Sequence, residues 1–247
     1  MDRMLYVAMS GAKETMLAQT SNANNLANVN TPGFLQDLNQ FRSMPLFGVG
    51  YPTRVYAMSE RPQINFAKGP IQQTGNTLDV AVQGDGFIAI RAKDGSEAYT
   101  RRGDLKIDAN GILTNGAGYP ILGNGGTIAL PPGEKVEIGY DGSITVLPEG
   151  QRPTTLATVD RIKLVNPKIQ DLEKGTDGLL RMKQGGAPPP PDATVLLVRG
   201  AVESSNVNPA EALVTMIDLA RRYDIQVKMI STAQKNDESA AQILRPS

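Results

Sequence analysis

Apolar positions recur at alternating spacings of four and three near the start of the chain: Leu5, Met9, Ala12, Met16, Gln19, Ala23 and Leu26, with only Gln19 polar. The spacing predicts an amphipathic helix from Leu5 to Ala27 whose apolar stripe is narrow and heptad-like. The run Asn28-Val29-Asn30-Thr31-Pro32-Gly33 should end it, because Asn and Gly supply turn and left-handed conformations and Pro32 disfavours helix at Thr31. The other end of the chain repeats the pattern. Asn208-Pro209-Ala210-Glu211 reads as an N-cap, a proline at the first helical position and an acidic third position. The stripe that follows is Leu213, Met216, Ala220, Tyr223, Val227 and Ile230. Asp218 with Arg222 and Asp224 with Lys228 have the i,i+4 spacing of helix ion pairs. Ile217, Leu219 and Ile225 fall off this seam, so a single partner helix would leave them in water, and either the middle of the chain or further chains must cover them.

Between these ends the period changes to two. Phe87–Ala92 and Glu97–Arg101 flank Asp94-Gly95, Leu105–Ile107 and Ile112–Thr114 flank Asn110-Gly111, and Val136–Tyr140 and Ser143–Leu147 flank Asp141-Gly142. Each is a hairpin signal. Most of the 25 Gly and 17 Pro fall in this zone, which favours antiparallel β structure with tight turns over a βαβ sheet. Gln184-Gly185-Gly186-Ala187 and Pro188–Pro191 read as a loop or stiff spacer before one more strand in Ala193–Arg199. The expected fold is α+β: N- and C-terminal helices pair as a coiled-coil stalk and carry an inserted antiparallel all-β middle domain. The segments are 1–34, 35–204 and 205–247.

Composition narrows the chemistry. The chain has 247 residues, 40% of them hydrophobic, enough for a sizeable core. Twenty-five basic residues balance 25 acidic ones, removing the electrostatic drive toward DNA, RNA or anionic lipid. There is no His and no Cys, which excludes Ser-His and Cys-His catalysis, His or Cys zinc sites, thiol redox chemistry and disulfides. The uncharged run from Thr15 to Gln36 is long enough to span a bilayer, but its asparagines, Pro32 and Gly33 rule that out. No secretory signal is expected at Met1-Asp2-Arg3-Met4, so an exported chain would use an uncleaved amino terminus.

Candidate sites are few. Gly84-Asp85-Gly86 and Gly123-Asn124-Gly125-Gly126 match neither dinucleotide nor P-loop patterns and read as turns. Asp108-Ala109-Asn110-Gly111 lacks the acidic spacing and terminal Glu of a calcium loop. No cofactor or metal is expected. A carboxylate pair brought together by the fold would be the chemistry of a cell-wall hydrolase, the rival reading from another class. Asn22, Asn24, Asn25, Asn28 and Asn30 crowd the end of the first helix. Their amides suit either backbone groups of the adjacent loop or neighbouring subunits.

These residues carry a resemblance. Ser21-Asn22-Ala23-Asn24-Asn25-Leu26-Ala27-Asn28-Val29-Asn30-Thr31-Pro32-Gly33-Phe34 resembles the amino-terminal signature of the axial proteins of the bacterial flagellum, an Asn-Asn-Leu-Ala-Asn core followed by Gly-Phe. Thr74–Val82 with Gly84-Asp85-Gly86-Phe87 is similar to the rod and hook core. Glu203-Ser204-Ser205-Asn206-Val207-Asn208, Met216-Ile217, Arg222-Tyr223 and Lys228 resemble the carboxy-terminal motif. The opening Met1–Tyr6 and the Asn30–Phe34 loop look most like a proximal rod subunit, with the distal rod subunit as near neighbour. Pro188–Pro191 and Asp224, where Glu often stands, depart from the pattern.

The resemblance implies a structural, non-enzymatic subunit. It would leave the cytoplasm unfolded through the flagellar type III export apparatus, then join copies of itself and other rod subunits in a helical tube across the periplasm that transmits torque and keeps an export channel open. Stripes, off-seam residues and signature together give an expected assembly interface of Leu5, Met9, Ala12, Met16, Asn25, Leu26, Asn28, Phe34, Leu213, Met216, Ile217, Ala220, Tyr223, Ile225, Val227 and Ile230.

Overall fold

The computed structural model describes residues 4–45, 55–59, 63–131, 133–148, 157–183 and 186–243. Met1–Arg3 of the opening motif and Gln184-Gly185 of the spacer lie outside them. The chain forms two compact units, one of Met1–Val29, Gln36–Asn65 and Val207–Ser247, the other of Asn30–Leu35 and Phe66–Asn206. Residues 36–65, expected in the β middle, therefore group with the helices.

Helix α1 covers Met4–Ala27 and helix α2 covers Pro209–Ile243, so both expected helices form. Asn208 caps α2 through its side-chain oxygen, which accepts from the backbone N–H of Ala210 at 3.1 Å and of Glu211 at 3.4 Å. The expected ion pairs Asp218–Arg222 and Asp224–Lys228 do not close; all four side chains are exposed, where such a pair contributes only about 0.3–0.5 kcal/mol against the entropy of holding it.

The two helices pack on each other, and α1 also meets the strand Val55–Ser59. The buried face of α1 is not the predicted one. It runs through Ala8, Thr15, Ala18, Asn22 and Asn25, one residue ahead of the apolar stripe. On α2 the buried residues are Ala212, Leu219 and Ala233. Leu219, expected off the seam, is thus inside at 6% exposure, while Leu213 and Val227 from the expected seam are exposed. Small side chains on α1 let a neighbouring backbone come close, and their polar groups are absorbed locally, as where Thr15 Oγ1 donates to Gly11 O at 2.8 Å. Two short antiparallel ribbons complete this unit, Asp37–Leu38 with Gln63–Ile64 and Phe41–Pro45 with Val55–Ser59. Among the described residues, no helix is long and apolar enough to cross a membrane.

The second unit is antiparallel β structure. All three expected hairpins are present, pairing Phe87–Arg91 with Glu97–Thr100, Leu105–Ile107 with Leu113–Asn115, and Gly133–Ile138 with Ser143–Pro148. Their turns place Gly95, Gly111 and Gly142 at φ of 83°, 78° and 84°, the left-handed region that glycine enters without penalty. Phe87–Arg91 and Glu97–Thr100 lie within a five-stranded sheet, flanked by Leu164–Val165 on one side and by Leu180–Met182, then Leu172–Lys174, on the other. The expected late strand is Leu196–Arg199, paired with Val80–Gln83. One core joins these sheets through Val80, Val82, Ile88, Ile90, Leu113, Ile121, Ile144, Ile162 and Leu197.

Close backbone approach fixes how these strands stack. A Cβ on Gly103 would stand 1.7 Å from Val80 O, in a place where Val80 N–H also bonds Gly103 O at 2.9 Å. Gly103→Ala is expected to lower the unfolding free energy of this unit by about 1–3 kcal/mol. Gly125→Ala, whose Cβ would meet nothing within 4 Å, should change it by less than about 0.5 kcal/mol. Urea denaturation followed by circular dichroism measures both; equal midpoints for the two variants would remove close packing as the reason.

Candidate functional site

The first unit buries Asn22 and Asn25, half-buries Asn28 and leaves Asn24 exposed. Asn22 Nδ2 donates to Ala212 O at 2.7 Å, tying α1 to the first turns of α2. Asn25 makes a two-bond clasp with Asp37, Nδ2 donating to Asp37 O and Oδ1 accepting from Asp37 N–H, each at 2.9 Å. That clasp imitates a strand pair and leads the chain from helix into the extended segment Asp37–Leu38. Asn28 Nδ2 donates to Asn24 O at 3.0 Å beyond the last turn. Each of the three thus bonds a backbone group of the same chain, Asn22 on α2, Asn25 in the segment that follows the loop and Asn28 on α1.

The outside of the helices is where the large apolar side chains lie. Met9, Met16, Leu213, Ile217, Tyr223, Ile225 and Val227 are exposed, Met16 at 61% and Ile225 at 57%. Leu5, Ala12, Leu26, Asn28, Phe34, Met216, Ala220 and Ile230 are half-buried, and Asn25 is buried. Tyr6, Leu17 and Val214 are also exposed and belong to neither predicted stripe. The signal that would have found them is volume: apart from Leu219, the bulky apolar side chains are exposed or half-buried, and the buried positions hold Ala, Thr and Asn, nearly the inverse of an ordinary amphipathic helix.

In the second unit, three of the motifs meet at one buried ion pair. Arg101 and Glu203 are 5% and 1% exposed, with Nε donating to Oε2 at 2.7 Å. The remaining Arg101 nitrogens donate to the carbonyls of Gly86 at 2.8 Å, Gly84 at 3.1 Å and Val82 at 3.3 Å. Glu203 Oε1 accepts from Gly69 N–H at 3.0 Å, and its backbone carbonyl accepts from Gly33 N–H at 2.7 Å. Every charged atom is therefore compensated, which a pair at this depth requires. The glycines are needed for space: a Cβ on Gly33 would lie 2.3 Å from Arg102 N and one on Gly69 1.9 Å from Ser204 O. Nothing in the sequence singled out Arg101; its partner Glu203 was visible only as the first residue of a motif. Beside the pair, Asn206 N–H bonds Phe34 O at 3.3 Å, and Lys174 sits 4.3 Å from the centre of the Phe34 ring while donating to Leu35 O.

An open cleft of about 800 Å³ adjoins Arg101, with Leu35, Phe66, Phe87 and Asn166–Gln170 among its lining. Phe66 meets Phe87 edge to face at 6.5 Å. At the rim Lys68 bonds Asp85 at 2.9 Å, and that hydrogen bond, with the ammonium charge, holds the Asp85 carboxyl below its ordinary range. Gly84-Asp85-Gly86 is a turn whose carbonyls serve Arg101, and Asp108 accepts from the N–H groups of Asn110 and Ile112 at 2.9 and 2.8 Å. Among the described residues no cluster of three or more acidic side chains could hold a metal.

Comparison with known proteins places these features in a family. Residues 5–34 match a model described as flagella basal body rod protein, residues 81–146 one described as flagellar hook protein FlgE/F/G D1 domain, and residues 198–243 one described as flagellar basal body rod FlgEFG protein C-terminal. The chain is 38% identical to the flagellar basal-body rod protein FlgF of Salmonella typhimurium and 39% identical to that of Escherichia coli, each over 99% of both chains. It is 32% identical to the flagellar basal-body rod protein FlgG of Buchnera aphidicola, over 97% of this chain and 98% of that one. The first matched segment spans α1 and its turn; the last contains Glu203 and α2.

Glu203→Ala would leave Arg101 buried and unpaired, and is expected to lower the stability of the second unit by about 3–5 kcal/mol in urea denaturation. Replacing both partners, Arg101→Met with Glu203→Leu, should recover most of that loss. An unchanged midpoint for Glu203→Ala would show that the pair contributes nothing to the fold.

Proposed function

The chain belongs to the flagellar basal-body rod protein family, and from that premise we propose that it is a non-enzymatic structural subunit of the rod that assembles through the outward faces of its two helices. The observation that carries this reading is the inverted distribution of volume, small residues buried between the helices and Met9, Met16, Leu213, Ile217 and Ile225 left in water. A monomer gains nothing from that arrangement, since each such side chain contributes about 1.5–3 kcal/mol only when covered. Exposed apolar surface on this scale belongs to an interface. A heterologous contact that does not close on itself generates a helical array, the geometry of a rod.

The partners in this reading are further copies of the chain and other rod subunits, with the flagellar type III export apparatus delivering it to the periplasmic part of the basal body. Identity of 38–39% to the FlgF proteins of Salmonella typhimurium and Escherichia coli, against 32–33% for the FlgG relatives, favours the proximal over the distal rod, although the FlgF proteins of Buchnera and Caulobacter stand at only 29–32%. The helices would continue as a coiled-coil layer only among neighbours. The relatives give the hydrolase reading no support.

Ile217→Ser with Ile225→Ser is expected to leave the melting of the purified chain within about 0.5 kcal/mol of the parent, because both side chains are more than half exposed. In a strain carrying only this variant, motility and the yield of intact basal bodies should fall sharply, each lost contact being repeated along the rod. Rods at the parent yield would sink the interface, and so would a destabilised monomer, which would place these residues in an intrachain core.

A further inference from the structure

Two residues that weaken the helix pair when each is taken alone meet at one point. Gly11 is the only glycine in α1, and a helix-interior glycine costs about 1 kcal/mol relative to alanine. Gln226 lies opposite, and its Oε1 is buried with no hydrogen-bond partner, another unfavourable feature. The two fit together: a Cβ on Gly11 would lie 3.0 Å from Gln226 Nε2 and 3.4 Å from its Cδ, so the amide occupies the space that a side chain at position 11 would take.

Each helix carries a second stripe it could bury instead, and that stripe is the more apolar one. On α1 the inner series Ala8, Gly11, Thr15, Ala18, Asn22, buried except for the half-buried Gly11, sits one residue before Met9, Ala12, Met16, Gln19, Ala23. Turning a helix by one residue, about 100° about its axis, would exchange the two. By area alone the larger stripe is the stronger seam.

We infer that the Gln226 amide seated over Gly11 selects the small inner seam and so keeps the large apolar stripe facing outward. A Cβ at position 11 would already crowd the amide, at 3.0 Å from Nε2, and a side chain as large as leucine must displace it when the inner faces meet, whereas in the rotated arrangement position 11 leaves the seam and the crowding disappears. Glycine at position 11 leaves room on the inner seam, and the Gln226 amide occupies that room. Asn22, bonded to Ala212 O, acts in the same sense at the far end of the pair. The selection is a property of the unassembled chain. Only its consequence, the presentation of a docking face, rests on the assembly reading, and the test below does not require rods to form.

The chain contains no cysteine, so a single introduced thiol reports the azimuth of α1. Met16→Cys and Ala18→Cys, made in separate full-length chains, probe an exposed and a buried position at 61% and 3% exposure. In the parent background the thiol at 16 should react with a maleimide on the order of 100-fold faster than that at 18. Adding Gly11→Leu should invert the order, slowing position 16 and speeding position 18, with helicity by circular dichroism retained. Adding Gln226→Ala to Gly11→Leu should restore the parent order, because the leucine then fills the space the amide has left. An unchanged order in Gly11→Leu overturns the inference. So does a faster position 18 without a slower position 16, or fast reaction at both sites, either of which is simple loosening. Failure of Gln226→Ala to restore the order overturns it as well.

Discussion

The buried Arg101–Glu203 pair is the constraint on which the β unit depends. A guanidinium and a carboxylate at this depth are tolerable only if every donor and acceptor is met, and meeting them recruits carbonyls from Val82, Gly84 and Gly86, the N–H of Gly69 and, through the Glu203 backbone, the N–H of Gly33. Segments distant in the chain are thereby brought to one point, and none can shift without stranding a charge. The Asn30–Leu35 loop and the strand Ala201–Glu203 lead, respectively, from α1 and toward α2.

The helices obey the opposite economy. Apart from Leu219, their inner faces are built from residues with little apolar surface to bury, and larger side chains such as Met16 and Ile217 stay in solvent. Such a pair is marginal alone and gains most when neighbours cover it. In the assembly proposed above, the β unit with its closed core would hold its shape and the helical unit would supply the bonds.

Much of this was legible in the sequence because it is local. Hairpins announced by Asp94-Gly95, Asn110-Gly111 and Asp141-Gly142 formed where the turn chemistry put them, and Asn208 capped α2 as its position required. The azimuth of the helices was not legible, since hydrophobic periodicity assumes that the apolar stripe faces inward, and here close approach of small residues decided the matter instead. A shift of one position moved Leu219 from outside to inside and Leu213 the other way. Arg101 was missed for a related reason: a buried arginine resembles a surface one until the fold supplies Glu203, 102 residues away.

That separation has a kinetic side. Gly69 and Glu203 lie 134 residues apart, and the two-stranded pairing of Ile71–Gln73 with Ala201–Glu203 closes a loop of nearly the same length. Contacts so remote in sequence form late, because the entropy of closing the loop is lost before any bond repays it. For a chain that emerges amino terminus first, Arg101 has no counter-ion until Glu203 arrives, and no earlier fragment can satisfy its guanidinium in the core. The β unit thus closes its charged core near its carboxy-terminal edge, at the strand Ala201–Glu203 that precedes α2.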